Sequence, residues 1–180
     1  MSRRNTLFIA IAVLLVALDQ ISKAIISHYF LPGQSAPVVG DFFRLTYILN
    51  PGGVFGSRLG GSFFYSIVSV VAIIFTLIFF AKTDPRQNLV KLGLAVILAG
   101  ALGNIIDRIR LGKVIDFLDF NIPDLNFPSL NLGLFKLPGF YLDRWPIFNL
   151  ADSAITVGAI LIFAQILISR KKAGPQIGAG

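Results

Sequence analysis

Four stretches of the chain are long and apolar enough to cross a hydrocarbon core that needs roughly 20 helical residues. They lie near residues 6–28, 62–82, 89–110 and 147–169, and the second, "FFYSIVSVVAIIFTLIFFA", has no charge. Between them run polar, turn-rich segments. In "APVVGDFFRLTYILNPGGVFG", β-branched and aromatic residues lead to the turn signal "NPGG", which predicts a small sheet or hairpin on the membrane surface. The later "NIPDLNFPSLNLGLFKLPGFYLDRWP" has no clean period and predicts an irregular, partly interfacial loop, with Tyr141 and Trp145 at headgroup level. The expected architecture is an all-α integral membrane protein: four transmembrane helices with a small extracytoplasmic β-rich segment, forming a single membrane-embedded domain over residues 1–180.

Basic residues give the expected orientation. Arg3 and Arg4 precede the first helix, Lys82, Arg86 and Lys91 bracket the second turnaround, and Arg170, Lys171 and Lys172 follow the fourth helix. Both termini are therefore expected in the cytoplasm. Segments 29–61 and 111–146 then face outward, with Arg44, Arg58, Lys113, Lys136 and Arg144 offset by Asp41, Asp116, Asp119, Asp124 and Asp143. The first helix has the basic and apolar parts of a secretory signal, but "DQISK" follows where a small-residue cleavage site would stand, so a retained helix is expected.

Composition narrows the chemistry. The chain is 55% hydrophobic with a mean hydropathy of +0.78, which excludes an ordinary soluble domain. Its charge of +7 marks topology more than nucleic-acid binding. Cysteine is absent, which removes disulfides, thiolate metal sites and a cysteine nucleophile; a lone histidine, His28, argues against histidine triads and multi-histidine metal sites. All nine acidic residues are Asp. Acid–base chemistry must fall chiefly on aspartates.

Ionisable groups cost about 2.5 to 3.5 kcal/mol at a helix centre, so their depth is informative. Asp19 and Lys23 come late in the first helix, Asn104, Asp107 and Arg108 late in the third, and Asn149 and Asp152 early in the fourth. All fall at one depth, toward the outer face. Asp19 and Lys23, and Asn104 and Arg108, are four apart and share a helix face. Gly100 and Gly103 would let a neighbouring helix approach closely. Plain structural roles compete with chemical ones. Asp19 and Lys23 can be an intrahelical ion pair, Asp107 and Arg108 interface residues, Asp152 a charge at a helix N-terminus, and Asn50 part of a turn. Asp119, Asp124 and Asp143 read as solvated loop charges, and His28 as a surface residue.

"LDQISK" (18–23), "NPGGVFG" (50–56), "GALGNIIDRIRLGKVIDFLDF" (100–120) and "FNLADSAI" (148–155) together resemble the bacterial lipoprotein signal peptidases, or signal peptidase II, in order and over nearly the whole chain. The resemblance implies a single membrane-embedded peptidase domain and an aspartic endopeptidase that removes the signal peptide from diacylglyceryl-modified prolipoproteins just before the lipidated cysteine. Asp116 and Asp152 would be the catalytic pair, and Asp19, Lys23, Asn50, Gly52, Asn104, Asp107, Arg108, Asn149 and Ala151 substrate-binding or supporting residues. It implies no metal or other cofactor, no nucleic acid and no obligate protein partner. The partners would be the diacylated prolipoprotein and membrane lipid, and the location the bacterial cytoplasmic (inner) membrane, with the active site at the outer face. Two carboxylates about 4 Å apart at an effective dielectric near 20 repel by roughly 4 kcal/mol, so one would keep its proton.

Two features depart from the family. Gly53 and Val54 stand where a small residue such as Ala is common, and residues 121–146 make the run between the two aspartates long. That run is either a lid over the site's mouth or an inert extension. Two other classes compete. A small proton-coupled transporter or channel component would explain membrane charges, but usually has a midplane site and repeated or broken helices. A non-catalytic assembly factor would bind precursors without turnover.

Overall fold

A computed structural model describes residues 3–52, 61–122, 125–131, 133, 136, 137, 139–142 and 144–172. The order is α1 (Arg3–Tyr29), β1 (Ser35–Val39), β2 (Phe43–Asn50), α2 (Gly61–Lys82), α3 (Asn88–Leu111), β3 (Val114–Phe120), β4 (Leu125–Phe127), β5 (Leu130–Asn131), β6 (Lys136–Leu137), β7 (Phe140–Leu142) and α4 (Leu150–Lys172). All four helices are long and apolar enough to span a membrane. Gly53, Val54, Arg58, Asp124 and Asp143 lie outside the described residues.

The central helix is α3, against which α1, α2 and α4 all pack. Small residues make this possible. Gly93 meets Gly158 of α4, and a Cβ on Gly100 would run into the backbone carbonyl of Ala151. Away from α3 the other helices expose apolar side chains such as Val13, Phe63 and Ile160, a distribution suited to lipid rather than water.

The third helix is capped by Gly112, whose φ of 66° lets its N–H return to Arg108 O at 2.9 Å. The chain then enters β3, the edge of an antiparallel sheet ordered β1-β2-β3. Ile26 of α1 packs with Tyr47, Ile115 and Phe117 beneath this sheet, fixing it to the bundle. A small sheet or hairpin was expected around residues 36–56 and is present; that β3 supplies its third strand was not foreseen, because its partner β2 is far away in sequence.

Three further expectations are corrected. Residues 121–146 are not simply irregular: Leu125 pairs with Leu142 and Phe127 with Phe140, while Leu130 pairs with Leu137. Pro128 has no N–H to donate, which fits the break between the two ladders. The fourth helix begins at Leu150 rather than 147, because Phe148 is held in an antiparallel bridge to Leu118 and Asn149 caps the helix. Asp119 is no solvated loop charge: it is 4% exposed, receiving a hydrogen bond from Thr46 Oγ1 at 2.6 Å and an ion pair from Arg144.

Candidate active site

The sequence "FNLAD" begins α4 with a reciprocal cap. Asp152 N–H donates to Asn149 Oδ1 at 2.9 Å, and Asn149 N–H donates to Asp152 Oδ2 at 3.3 Å. Asn149 therefore has its amide oxygen committed, which turns its nitrogen toward β3. That nitrogen donates to Asp116 Oδ1 at 2.7 Å, with longer contacts to Asn104 Oδ1 and Ile115 O.

Two other asparagines follow the same rule. Asn50 Oδ1 accepts the Gly52 N–H at 2.8 Å, leaving Nδ2 to donate to Asp116 Oδ2 at 2.9 Å. Asn104 Oδ1 accepts from Lys23 Nζ at 3.1 Å, leaving Nδ2 to donate to Asp152 Oδ1 at 2.8 Å. In each amide a donor fixes the oxygen, so the NH2 group must face a carboxyl. Neutral donors orient both aspartates without cancelling their charges.

Below this layer lies a buried charge cluster. Lys23 Nζ is 2.9 Å from both Asp19 Oδ2 and Asp107 Oδ2, and all three residues are 1% exposed. The intrahelical Asp19–Lys23 pair exists, but it is one side of a larger arrangement. Asp19 Oδ1 also accepts the Ala151 N–H at 2.9 Å, placing a carboxylate at the N-terminus of α4. Asp107 Oδ2 accepts the Ile115 N–H at 3.1 Å, next to Asp116. The cluster thus grips the neighbour of each pocket aspartate. Gly103 leaves room for Asp19, since a Cβ there would lie 2.5 Å from its Oδ2.

Arg108 does not hydrogen-bond either pocket aspartate. Its guanidinium reaches Ser69 Oγ of α2 at 3.2 Å and Gly52 O at 3.4 Å, tying α3 to α2 and to the end of the Asn50 turn. Nor does Lys23 touch Asp116 or Asp152; it acts on Asp152 through Asn104. Ser69 and Gln20 went unnoticed in the sequence. Gln20 Nε2 donates to Asp107 Oδ1, Asp19 Oδ2 and Gly103 O, and its only local signal was its position between Asp19 and Lys23.

Asp116 and Asp152 both line a cavity of about 750 Å³. Val68 and Ala72 of α2 form one apolar side, Ile155 and Val157 of α4 another, with Trp145–Phe148 completing the wall. Burial of Asp116, reinforced by the negative charge of Asp152, pushes its carboxyl up to about 7 despite the bonds from Asn50 and Asn149. All eleven residues singled out in the sequence, including Gly52 and Ala151, meet in this pocket or its immediate support.

Fold and site together define a multi-pass membrane protein with two aspartates facing one pocket at an end of its bundle. A family model described as signal peptidase (SPase) II matches residues 11–168. The lipoprotein signal peptidase of Moorella thermoacetica is 39% identical over 169 residues, covering 94% of this chain and 98% of the relative. That of Pelotomaculum thermopropionicum is 39% identical over 170 residues, with 94% and 97% covered. A bacterial membrane enzyme solved by the in meso method at 2.3 Å resolution has a TM-score of 0.76 and 31% identity, covering 97% of this chain and 95% of that one. The chain belongs to the signal peptidase II family and is a bacterial membrane peptidase. The transporter reading finds no support.

Proposed function

We propose that this peptidase is an aspartic endopeptidase in which Asp116 and Asp152 are the catalytic pair. It removes the signal peptide from diacylglyceryl-modified prolipoproteins just before the lipidated cysteine. The observation that carries the reading is the double hold of Asn149, whose amide reaches Asp116 while its oxygen and N–H exchange bonds with Asp152. The family and its lipoprotein signal peptidase relatives support the substrate.

Two carboxyls that face one pocket share one proton, and the mechanism assigns it to Asp116. Asp116, pushed up to about 7, holds a proton and donates it to the scissile carbonyl oxygen. Asp152, ionised, takes a proton from a water that attacks the carbonyl carbon. Collapse of the tetrahedral adduct breaks the C–N bond. The proton captured by Asp152 passes to the leaving amine, and Asp116 recovers its own from the adduct hydroxyl. Asn50, Asn104 and Asn149 act as fixed donors that keep both carboxyls aimed at the pocket throughout.

The site opens at the outer face of the bacterial cytoplasmic membrane, and both termini lie in the cytoplasm. The basic flanks of the helices support this orientation. Since α2 and α4 each pack on α3 and border the cavity, a lipid-anchored precursor reaches the carboxyls sideways from the outer leaflet. Asp116→Asn and Asp152→Asn, assayed separately for prolipoprotein cleavage by gel shift, are each expected to abolish processing. Full activity in either rejects the pair.

A further inference from the structure

Asp119 and Arg144 serve neither carboxyl, yet they make a well-built contact. Thr46 Oγ1 donates to Asp119 Oδ2 at 2.6 Å, and Arg144 Nε donates to Asp119 Oδ1. The rest of the guanidinium turns toward the β1–β2 turn, where NH2 donates to Asp41 O at 3.4 Å and NH1 lies 3.8 Å from Asp41 Oδ1. Asp41 is itself held by Asn121 Nδ2 at 2.7 Å and by Arg44. One arginine is thus gripped by β3 and by the turn before β2.

The next residue is Trp145. From here to Phe148 the chain runs beside β3 and is joined to it at both ends. At Phe148, three backbone bonds to Phe117 and Leu118 of 2.8 to 3.2 Å and an aromatic stack on Phe120 fix the chain. At Trp145 the backbone N–H donates to Phe120 O of β3 at 3.2 Å, beside the Asp119–Arg144 pair. Trp145 lines the pocket and remains 38% exposed. A large indole at the mouth of an apolar cavity, with surface still to cover, has the character of a binding hot spot.

We propose that Trp145 contacts the precursor as part of the pocket wall and sets its affinity, and that Asp119 and Arg144 are positioning residues that hold this wall. The proposal rests on the reading of the pocket as the prolipoprotein site. Asp119 acts at a distance from the reacting bond, through the placement of Trp145, so its loss changes substrate affinity and leaves the chemical step nearly intact.

Trp145 is the sole tryptophan of the chain, so its emission reports on this wall without any turnover. The probe is a synthetic precursor peptide bearing an S-diacylglyceryl cysteine, titrated into full-length Asp152→Asn protein in lipid nanodiscs. Saturable blue-shifted emission is expected. Asp119→Asn and Arg144→Gln should increase acrylamide quenching of the free protein and weaken peptide binding about tenfold, with Arg144→Lys intermediate. In otherwise unmodified protein these variants and Trp145→Ala should raise KM about tenfold with kcat within about twofold. Asp119→Asn combined with Trp145→Ala should be no worse than Trp145→Ala alone, a result that general loosening of the sheet would not give. Emission that responds to transfer from detergent into nanodiscs but not to the peptide would mark Trp145 as a headgroup anchor and overturn the proposal. Additive losses in the double variant would overturn the positioning role. Should the protein without substitutions bind the peptide through Trp145 yet fail to cut it, the wall stands and the proposed cleavage by Asp116 and Asp152 falls.

Discussion

Asn149 holds Asp116 and Asp152 at once: its Nδ2 donates to Asp116 Oδ1 at 2.7 Å, and its N–H and Oδ1 exchange bonds with the Asp152 carboxylate and backbone. One residue therefore sets both the start of α4 and the relation of the helix to β3.

Asn149→Ala is expected to lower kcat by about 10²- to 10³-fold with little change in KM, because it removes orientation rather than substrate contact. Initial rates over a range of diacylated precursor check this. A variant with kcat near that of the parent would show that the two carboxyls need no common tether.

Asp116 gives a pH prediction with a definite sign. Its folded pKa, about 7, lies above the ordinary 3.8, so the folded state binds more protons between those values. The favourable contribution is fully present below the ordinary carboxylate pKa and is lost as pH rises through about 7. Activity that needs the Asp116 proton should decline over the alkaline part of the same titration, read as kcat/KM against pH. Infrared difference spectra should show a carboxyl C=O band that disappears in Asp116→Asn. Asp152→Asn removes the repelling charge and should move the band's midpoint to lower pH; an unchanged midpoint would contradict the coupling.

Gly100→Ala tests the close approach of α3 and α4. The new Cβ would overlap the Ala151 carbonyl and lie 2.7 Å from Ile155 Cγ1, so α4 must shift just where Asp152 meets Asn104. Overpacking of this kind costs about 1 to 3 kcal/mol, while the displacement should lower kcat about 100-fold. Thermal unfolding and turnover on the same purified variant separate the two effects. Wild-type kcat would mean the site tolerates a moved α4.

Apolar runs marked all four spans, because a bilayer demands unbroken helix whatever the tertiary context. The residues that gather around the pocket were legible through short motifs, and the Asp19–Lys23 pair through its spacing of four. What escaped depends on distant partners. "FLDF" looks like loop until β2 lies beside it, and Asp119 looks solvated until Arg144, 25 residues on, arrives with its guanidinium. The start of α4 was misjudged for the same reason: Phe148 looks like helix until its bridge to Leu118 is known. Asp107 completing the Lys23 cluster, 84 residues from that lysine, has no local signature.

That cluster also bears on how the protein assembles. Synthesised first, α1 carries Lys23 and its counter-ion Asp19 on one face, so it can enter the bilayer with its charges already paired. Each of two other helices fills a valence that the pair leaves open: Asp107 of α3 joins Lys23, and the Ala151 N–H of α4 meets Asp19. The ion pair of α1 thus ties together α3 and α4, and the pocket between them is held in register from the first helix.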